Sequence, residues 1–351
     1  MPILLLFTVA VAFLLSLAFR IFFLRKLNVD GSRALTKQNQ IIIAVACLIC
    51  ACAEYAYSGR IPIVWLVAGQ QFDYREFGIP TFHVLFMSFL TAHSIVSFER
   101  IMTQKGKHHW IGFFTGIIYM VSIVSRGNTL FILLPCFLLY LTMSSNKKAK
   151  IYILAASIFS IVMFGVLGDL RFKSQGVTDT NPIYEIGALK KEYIDYGLPS
   201  GFAWVYIYVS SPYGNLLDQE RYGYENRGDV YDLATYSFIP DFIAKHIDNY
   251  NTDKYDAPLL SELLTVSTGY TFAYSIYGIT GIVLLFTYLI FICFFTVGLS
   301  GGRYTRSICA MLSSISALMI FGNMLIFSTC IMQVVLVLVM SRFRIGNTKL
   351  I

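Results

Sequence analysis

The sequence predicts an all-α polytopic membrane protein, a bundle of about nine transmembrane helices (range 9–11) with one large loop on the outside. Three observations predict it. The 351 residues are 56% hydrophobic and only 13% charged, whereas soluble domains carry close to a quarter charged residues. Uncharged runs repeatedly reach the roughly 17–25 residues that cross a hydrocarbon core as a helix. The bases also fall on alternate connections, the pattern that orients membrane helices with Lys and Arg on the cytoplasmic side. That pattern accounts for the net charge of +7, which therefore calls for no nucleic acid.

The first span is Ile3–Phe23, followed by Arg20, Arg25, Lys26, Arg33 and Lys37 against the single acid Asp30. Its first base comes after the apolar core, the reverse of a cleavable signal. It is read as an uncleaved span with its N-terminus outside. The second span, Ile41–Tyr57, returns outward to a short loop over 58–78, whose apolar patch Ile61–Ala68 is too short to cross. The third, Ile79–Phe98, goes in to Arg100, Lys105 and Lys107. The fourth, Trp110–Val124, goes out to a turn at Ser125-Arg126-Gly127-Asn128. The fifth, Thr129–Met143, comes back through Pro135, which removes one helix hydrogen bond. Lys147, Lys148 and Lys150 mark the inside again, and the sixth span, Ile151–Gly168, leads out into the large loop.

After Glu262 no charge appears until Arg303. Forty residues of helix would measure ~60 Å, twice a bilayer core. Leu263–Tyr277 is rich in Ser, Thr, Tyr and Gly and is read as an interfacial or re-entrant helix. Gly278–Leu299 is then the seventh span, ending inside at Arg303 and Arg306. Ser307–Met340 is interrupted by Gly322-Asn323. Two short helices with a turn there return Arg342, Arg344 and Lys349 to the inside, with one long tilted helix as the alternative. The inside segments then collect 16 bases and two acids, Asp30 and Glu99. The chain divides into six spans (1–168), the outside loop with interfacial helices (169–265) and the C-terminal spans (266–351).

The loop reverses the charge. Fifteen of the 20 acids lie between Asp169 and Glu262, against 8 bases, and 12 of the 23 tyrosines lie between Tyr184 and Tyr255. Carboxylates and aromatic faces suit sugar recognition, yet Tyr and Trp also favour headgroup depth. Composition leaves both readings open. Phe202–Leu217, with Trp204, Tyr206, Tyr208 and Tyr213, is uncharged and is placed along the membrane surface. Crossing would carry half the acidic loop inside.

Arg126 and Arg171 sit at the same outer depth, the latter in Gly168-Asp169-Leu170-Arg171. With Arg75 they form a candidate clamp for a phosphate or diphosphate; snorkelling at helix ends is the plainer alternative. Asp169, Asp241, His246 and Asp248 are candidates for a general base, and His246 is the only histidine the layout puts outside. Tyr213 is a candidate sugar contact. Glu54, near the outer end of the second span, is an intramembrane carboxylate and a functional suspect by position. All seven cysteines fall within apolar runs, Cys47 and Cys50 included, so neither disulfide nor zinc site is expected. No Ser-His-Asp order, Gly-rich phosphate loop, His-Glu-x-x-His or Asp-x-Asp motif appears, and no metal or other cofactor is expected.

Four features together resemble the O-antigen polymerase family. They are Ser125-Arg126-Gly127 opening an apolar helix; the Gly168–Arg171 exit into one large loop; Ser211-Pro212-Tyr213-Gly214-Asn215-Leu216 with Phe238-Ile239-Pro240; and Thr268-Gly269 leading to Tyr277-Gly278-Ile279-Thr280-Gly281. They cover about 125–285. The resemblance implies a GT-C-like helical glycosyltransferase in the bacterial inner membrane, with its loop periplasmic and its active site under that loop. Such an enzyme moves a growing glycan from undecaprenyl diphosphate onto the non-reducing sugar of an incoming lipid-linked repeat unit, without nucleotide sugar or metal. A chain-length regulator is the partner it implies. An O-antigen ligase would share the loop and arginines. A polysaccharide flippase or other transporter, a non-enzyme, would instead show inverted repeats and broken mid-membrane helices.

Overall fold

The computed structural model describes residues 36–68, 77–104, 106–144, 182–197, 199–247, 250–255, 259–261, 264–300 and 304–342, with 146, 148 and 151. The expected first span, the expected sixth span beyond Ile151, and Arg75, Asp169, Arg171 and Asp248 lie outside them. Among the described residues the regular elements are helical. The long ones are α1 (Lys37–Ser58), α3 (Phe82–Gln104), α4 (His109–Ser122), α5 (Arg126–Met143), α8 (Ser200–Arg221), α11 (Thr271–Leu299), α12 (Thr305–Leu318) and α13 (Ser328–Arg342). Short helices lie between them: α2 (Pro62–Val67), α6 (Pro182–Ile186), α7 (Lys191–Asp195), α9 (Val230–Leu233) and α10 (Asp241–Ala244). A π-helical turn, Ala234–Phe238, joins α9 to the segment before α10.

Three helices, α1, α3 and α11, are long and apolar enough to cross a membrane, and α4, α5 and α13 are shorter apolar helices. This is a helical membrane protein. Its surface pattern agrees: α1 exposes Ile42, Val45, Leu48 and Ile49 while burying Gln40, Cys47, Ala51 and Glu54. Lipid takes the large apolar side chains, and small or polar residues turn inward.

α3 is the centre of the bundle, packed against α1, α4, α5, α12 and α13. Leu90, Ala92, Ile95 and Val96 are fully buried along it, as are Ser94 and Ser97. α4 approaches closely because Gly112 and Gly116, one turn apart, present no side chain. A Cβ on Gly116 would run into Ser94 Oγ, and one on Gly112 would meet Ser97 Oγ and lie 2.7 Å from both Gln40 Oε1 and His93 Nε2. Ser94 Oγ donates to the Phe113 carbonyl at 3.2 Å across the same contact. Small residues four apart bring membrane helices together in this way.

Some of the expected helix breaks are present among the described residues, and others lie elsewhere. Gly59, at φ 65°, closes α1, and its N–H bonds back to the Ala56 and Tyr55 carbonyls. α12 and α13 are two separate helices joined through residues 319–327, so the single long tilted helix is excluded. The turn expected at 125–128 lies slightly earlier. α5 already begins at Arg126, and Val124 takes the positive φ of 58°. The expected start of the seventh span at Gly278 is a kink within α11: Tyr277 and Gly278 are non-helical, Gly278 at φ 58° and ψ −147°. The carbonyls on its N-terminal side find partners in the loop. Ser275 O accepts from Arg227 N at 2.9 Å and Ile276 O from Gly228 N at 3.3 Å. Buried backbone acceptors must be satisfied, most strictly in lipid.

Helix direction gives the bundle two ends. At one, Lys37, Glu99, Arg100, Lys107, Arg306 and Arg342 gather. There Glu99 Oε2 accepts from Ser307 N at 3.2 Å, and Arg100 donates to the Tyr304 hydroxyl while lying over its ring. The other end meets described residues of the loop, among them Arg227, Gly228, Ser237 and Asp241, and is termed the loop-side end below.

Candidate functional site at the loop-side end

The loop is fastened to the bundle by side-chain amides. Asn215, in α8, donates from Nδ2 to the Leu264 and Val266 carbonyls, each at 2.8 Å, and its Oδ1 accepts from Leu260 N at 2.8 Å. Gln219, one turn on, donates to Thr271 O at 3.3 Å and to Ser275 Oγ. Asn323 Nδ2 reaches Ser237 O at 2.8 Å. Gly269 N donates to Met319 O at 2.7 Å, and a Cβ on Gly269 would lie 2.7 Å from Gly322 O. The motifs around Pro240 and Gly269 therefore both reach the α12–α13 turn, and the motif around Pro212 holds Leu260, Leu264 and Val266 in the strap that leads to it. Tyr213 is half-buried on the same turn of α8 as Asn215.

The loop tyrosines include an inner cluster and an exposed group. Tyr236 stacks on Tyr250 at 5.1 Å and meets Tyr255 edge-on at 5.0 Å, forming the inside of the loop. Tyr196, Tyr206, Tyr222 and Tyr231 stay exposed.

A groove of about 320 Å³ opens beside this strap. Its walls are Val84 and Leu85 of α3, Phe242 and Ile243 of α10, and Met332 of α13, with Thr81, Lys245 and His246 also lining it. Thr81, Lys245 and His246 are exposed and make the lip polar. α10 is held over the bundle by its first residue. Asp241 N donates to Ile326 O at 2.8 Å, and Asp241 Oδ1 accepts from Ser328 N at 3.2 Å and from the Ser328 hydroxyl. The Asp241 carboxylate is thus engaged as a cap on α13, while His246 stands at the groove mouth. Arg126 opens α5 at the same end, and Phe131 of that helix meets Phe327 of the α12–α13 turn at 5.5 Å. The structure brings the α5 start, Asp241 and His246 to one end of the bundle, whereas Tyr213 lies on α8 and does not line the groove.

A second cluster lies at the neighbouring helix ends. Glu54 is fully buried at the close of α1. His83 Nδ1, in the first turn of α3, is 3.0 Å from both Glu54 oxygens, and the Tyr119 hydroxyl of α4 donates to Oε2. Tyr55 pairs with Ser122 Oγ at 2.5 Å beside them. Glu54 was visible in the sequence, but its partners were not. By sequence alone His83 falls inside the apolar span Ile79–Phe98, which leaves His246 as the only histidine on the outer side. The structure puts both histidines at the loop-side end. The signal that finds His83 is depth: it opens a helix antiparallel to the one that Glu54 closes.

Comparisons with family models, with curated proteins and with solved structures find no match.

Proposed function

We propose that the chain is an oligosaccharide repeat-unit polymerase of the O-antigen type, a bundle of about nine spans in a bacterial inner membrane with residues 169–265 in the periplasm. The observation that carries this reading is the groove between α3, α10 and α13, apolar along its walls and cationic at Lys245. An isoprenoid diphosphate has that polarity, an apolar chain ending in a doubly anionic head. Bases placed where charge develops on the departing diphosphate stabilise it most. Arg126, at the first residue of α5, and Arg171 are assigned to that head, with Arg75 supporting them. The N-terminal end of a helix adds its own positive potential. The exposed tyrosines and acids of the loop are assigned to the glycan.

Deletion of the gene tests the reading. A polymerase deletion leaves lipopolysaccharide bearing a single repeat unit. A ligase deletion leaves bare core, and a flippase deletion leaves no O-antigen. A full-length ladder in the deletion strain removes the proposal.

A further inference from the structure

The Glu54–His83 pair is built to hold one imidazole nitrogen and leave the other free. Glu54 is 0% exposed. Its oxygens take the Nδ1–H of His83 and the O–H of Tyr119. A neutral imidazole with its proton on Nδ1 is basic at Nε2. That nitrogen has no hydrogen-bond partner among the described residues, and the side chain keeps 22% of its surface open.

The backbone is shaped around this ring. Gly78 has φ 96°, and a Cβ there would come 2.5 Å from His83 Nδ1, so only glycine leaves room. Its N–H donates to Ser58 Oγ at 3.0 Å, fixing the turn to the end of α1. Phe77 meets the imidazole edge-on at 5.6 Å. Residues on α1, α4 and the 77–78 turn thus orient one histidine. The same turn of α3 supplies Val84 and Leu85 to the groove.

We infer that His83 is a catalytic base and Glu54 its positioning residue, an assignment that rests on the polymerase reading. In the step, the acceptor sugar's O–H bond breaks and its oxygen forms the new bond to C1 of the donor glycan. The bond from C1 to the diphosphate oxygen breaks, and its electron pair leaves on undecaprenyl diphosphate. The hydroxyl proton passes to His83 Nε2. The resulting imidazolium is stabilised by the Glu54 carboxylate, which holds the ring in the correct tautomer and orientation. The proton then returns to water. The ionisable groups facing the ring are Glu54 on α1 and Tyr119 on α4, with Tyr55 beyond them.

The test is elongation by the purified full chain, with the lipid-linked repeat unit isolated from the deletion strain as substrate. His83→Ala is expected to lower kcat roughly 10²–10⁴-fold with KM little changed, and added imidazole to restore part of the rate. Glu54→Gln is expected to lower kcat with KM little changed, and Glu54→Asp, which keeps the carboxylate, to restore part of the rate. His83→Gln, which keeps a polar side chain at the site, covers the case in which His83→Ala does not fold. Wild-type kcat and pH profile in folded His83→Gln or His83→Ala overturn the inference. So does a loss equal at every pH that imidazole does not relieve. If the wild-type chain itself makes no polymer, it is the polymerase reading that fails.

Discussion

Asp241 and Ser328 cap one another across 87 residues of sequence. The Asp241 carboxylate accepts from the Ser328 N–H at 3.2 Å, and Ser328 Oγ accepts from Phe242 N at 3.2 Å. A single pair therefore satisfies one first-turn N–H of each of α10 and α13, and an acid sits at the positive end of α13. Loss of such a cap costs about 0.5–2 kcal/mol. Asp241→Ala is expected to lower the melting temperature of the detergent-solubilised protein. Ser328→Ala should do the same, and the double variant should lose less than the two added together. Full additivity would show the two residues acting independently.

The contact of α3 with α4 depends on two missing side chains. Gly112→Ala and Gly116→Ala each push a methyl into Ser97 or Ser94. Overpacking of this kind costs about 1–3 kcal/mol. Gly127→Ala is the control, since nothing lies within 4 Å of that position. It should be neutral or slightly stabilising, because alanine favours a helix over glycine by up to about 1 kcal/mol. Thermal denaturation of the three variants orders them.

Arg126 is the residue on which the diphosphate assignment turns. Arg126→Ala should abolish polymer while the protein still inserts in the membrane. Arg126→Lys should also fail if the contact is a bidentate fork, and should succeed if a point charge suffices. Wild-type chain lengths in Arg126→Ala, read on a lipopolysaccharide gel, would remove Arg126 from the clamp.

Acid weakens one corner of the loop by a known sign. Burial pushes the Asp232 carboxyl up. The Tyr255 hydroxyl, the Asp229 N–H at 3.3 Å and the Lys254 ammonium at 3.4 Å outweigh it and hold the group below its ordinary range. A carboxylate depressed in the folded state contributes stability above its unfolded value, about 3.9. That contribution is lost as pH falls through the folded value. Asp232→Asn should flatten the dependence of loop protection below about pH 4, followed by amide exchange around 228–233. An unchanged slope would mean that Asp232 is not the titrating group.

Among the described residues, the long apolar helices α1, α3 and α11 were legible because apolar runs of that length are bounded by a base or a turn residue. Gly59, the Gly278 kink and the Gly322-Asn323 turn interrupt the helices where the sequence changes character. The surroundings of the loop were less legible. Asn215 and Gln219 read as polar residues within an aromatic stretch, yet their amides hold backbone about fifty residues away. Tyr236, Tyr250 and Tyr255 count toward a tyrosine-rich surface until their rings are seen to stack inward. His83 illustrates the general difficulty. Its meaning depends on which helix end lies opposite at the same depth, and that is a property of packing rather than of any local pattern.

The most direct test is elongation in vesicles. Purified chain is mixed with the undecaprenyl-diphosphate-linked repeat unit alone, with no nucleotide sugar. The predicted result is a ladder of products differing by one repeat, with one undecaprenyl diphosphate released for each unit joined. Transfer of glycan only to added lipid A-core, with the repeat unit never joined to itself, would contradict it.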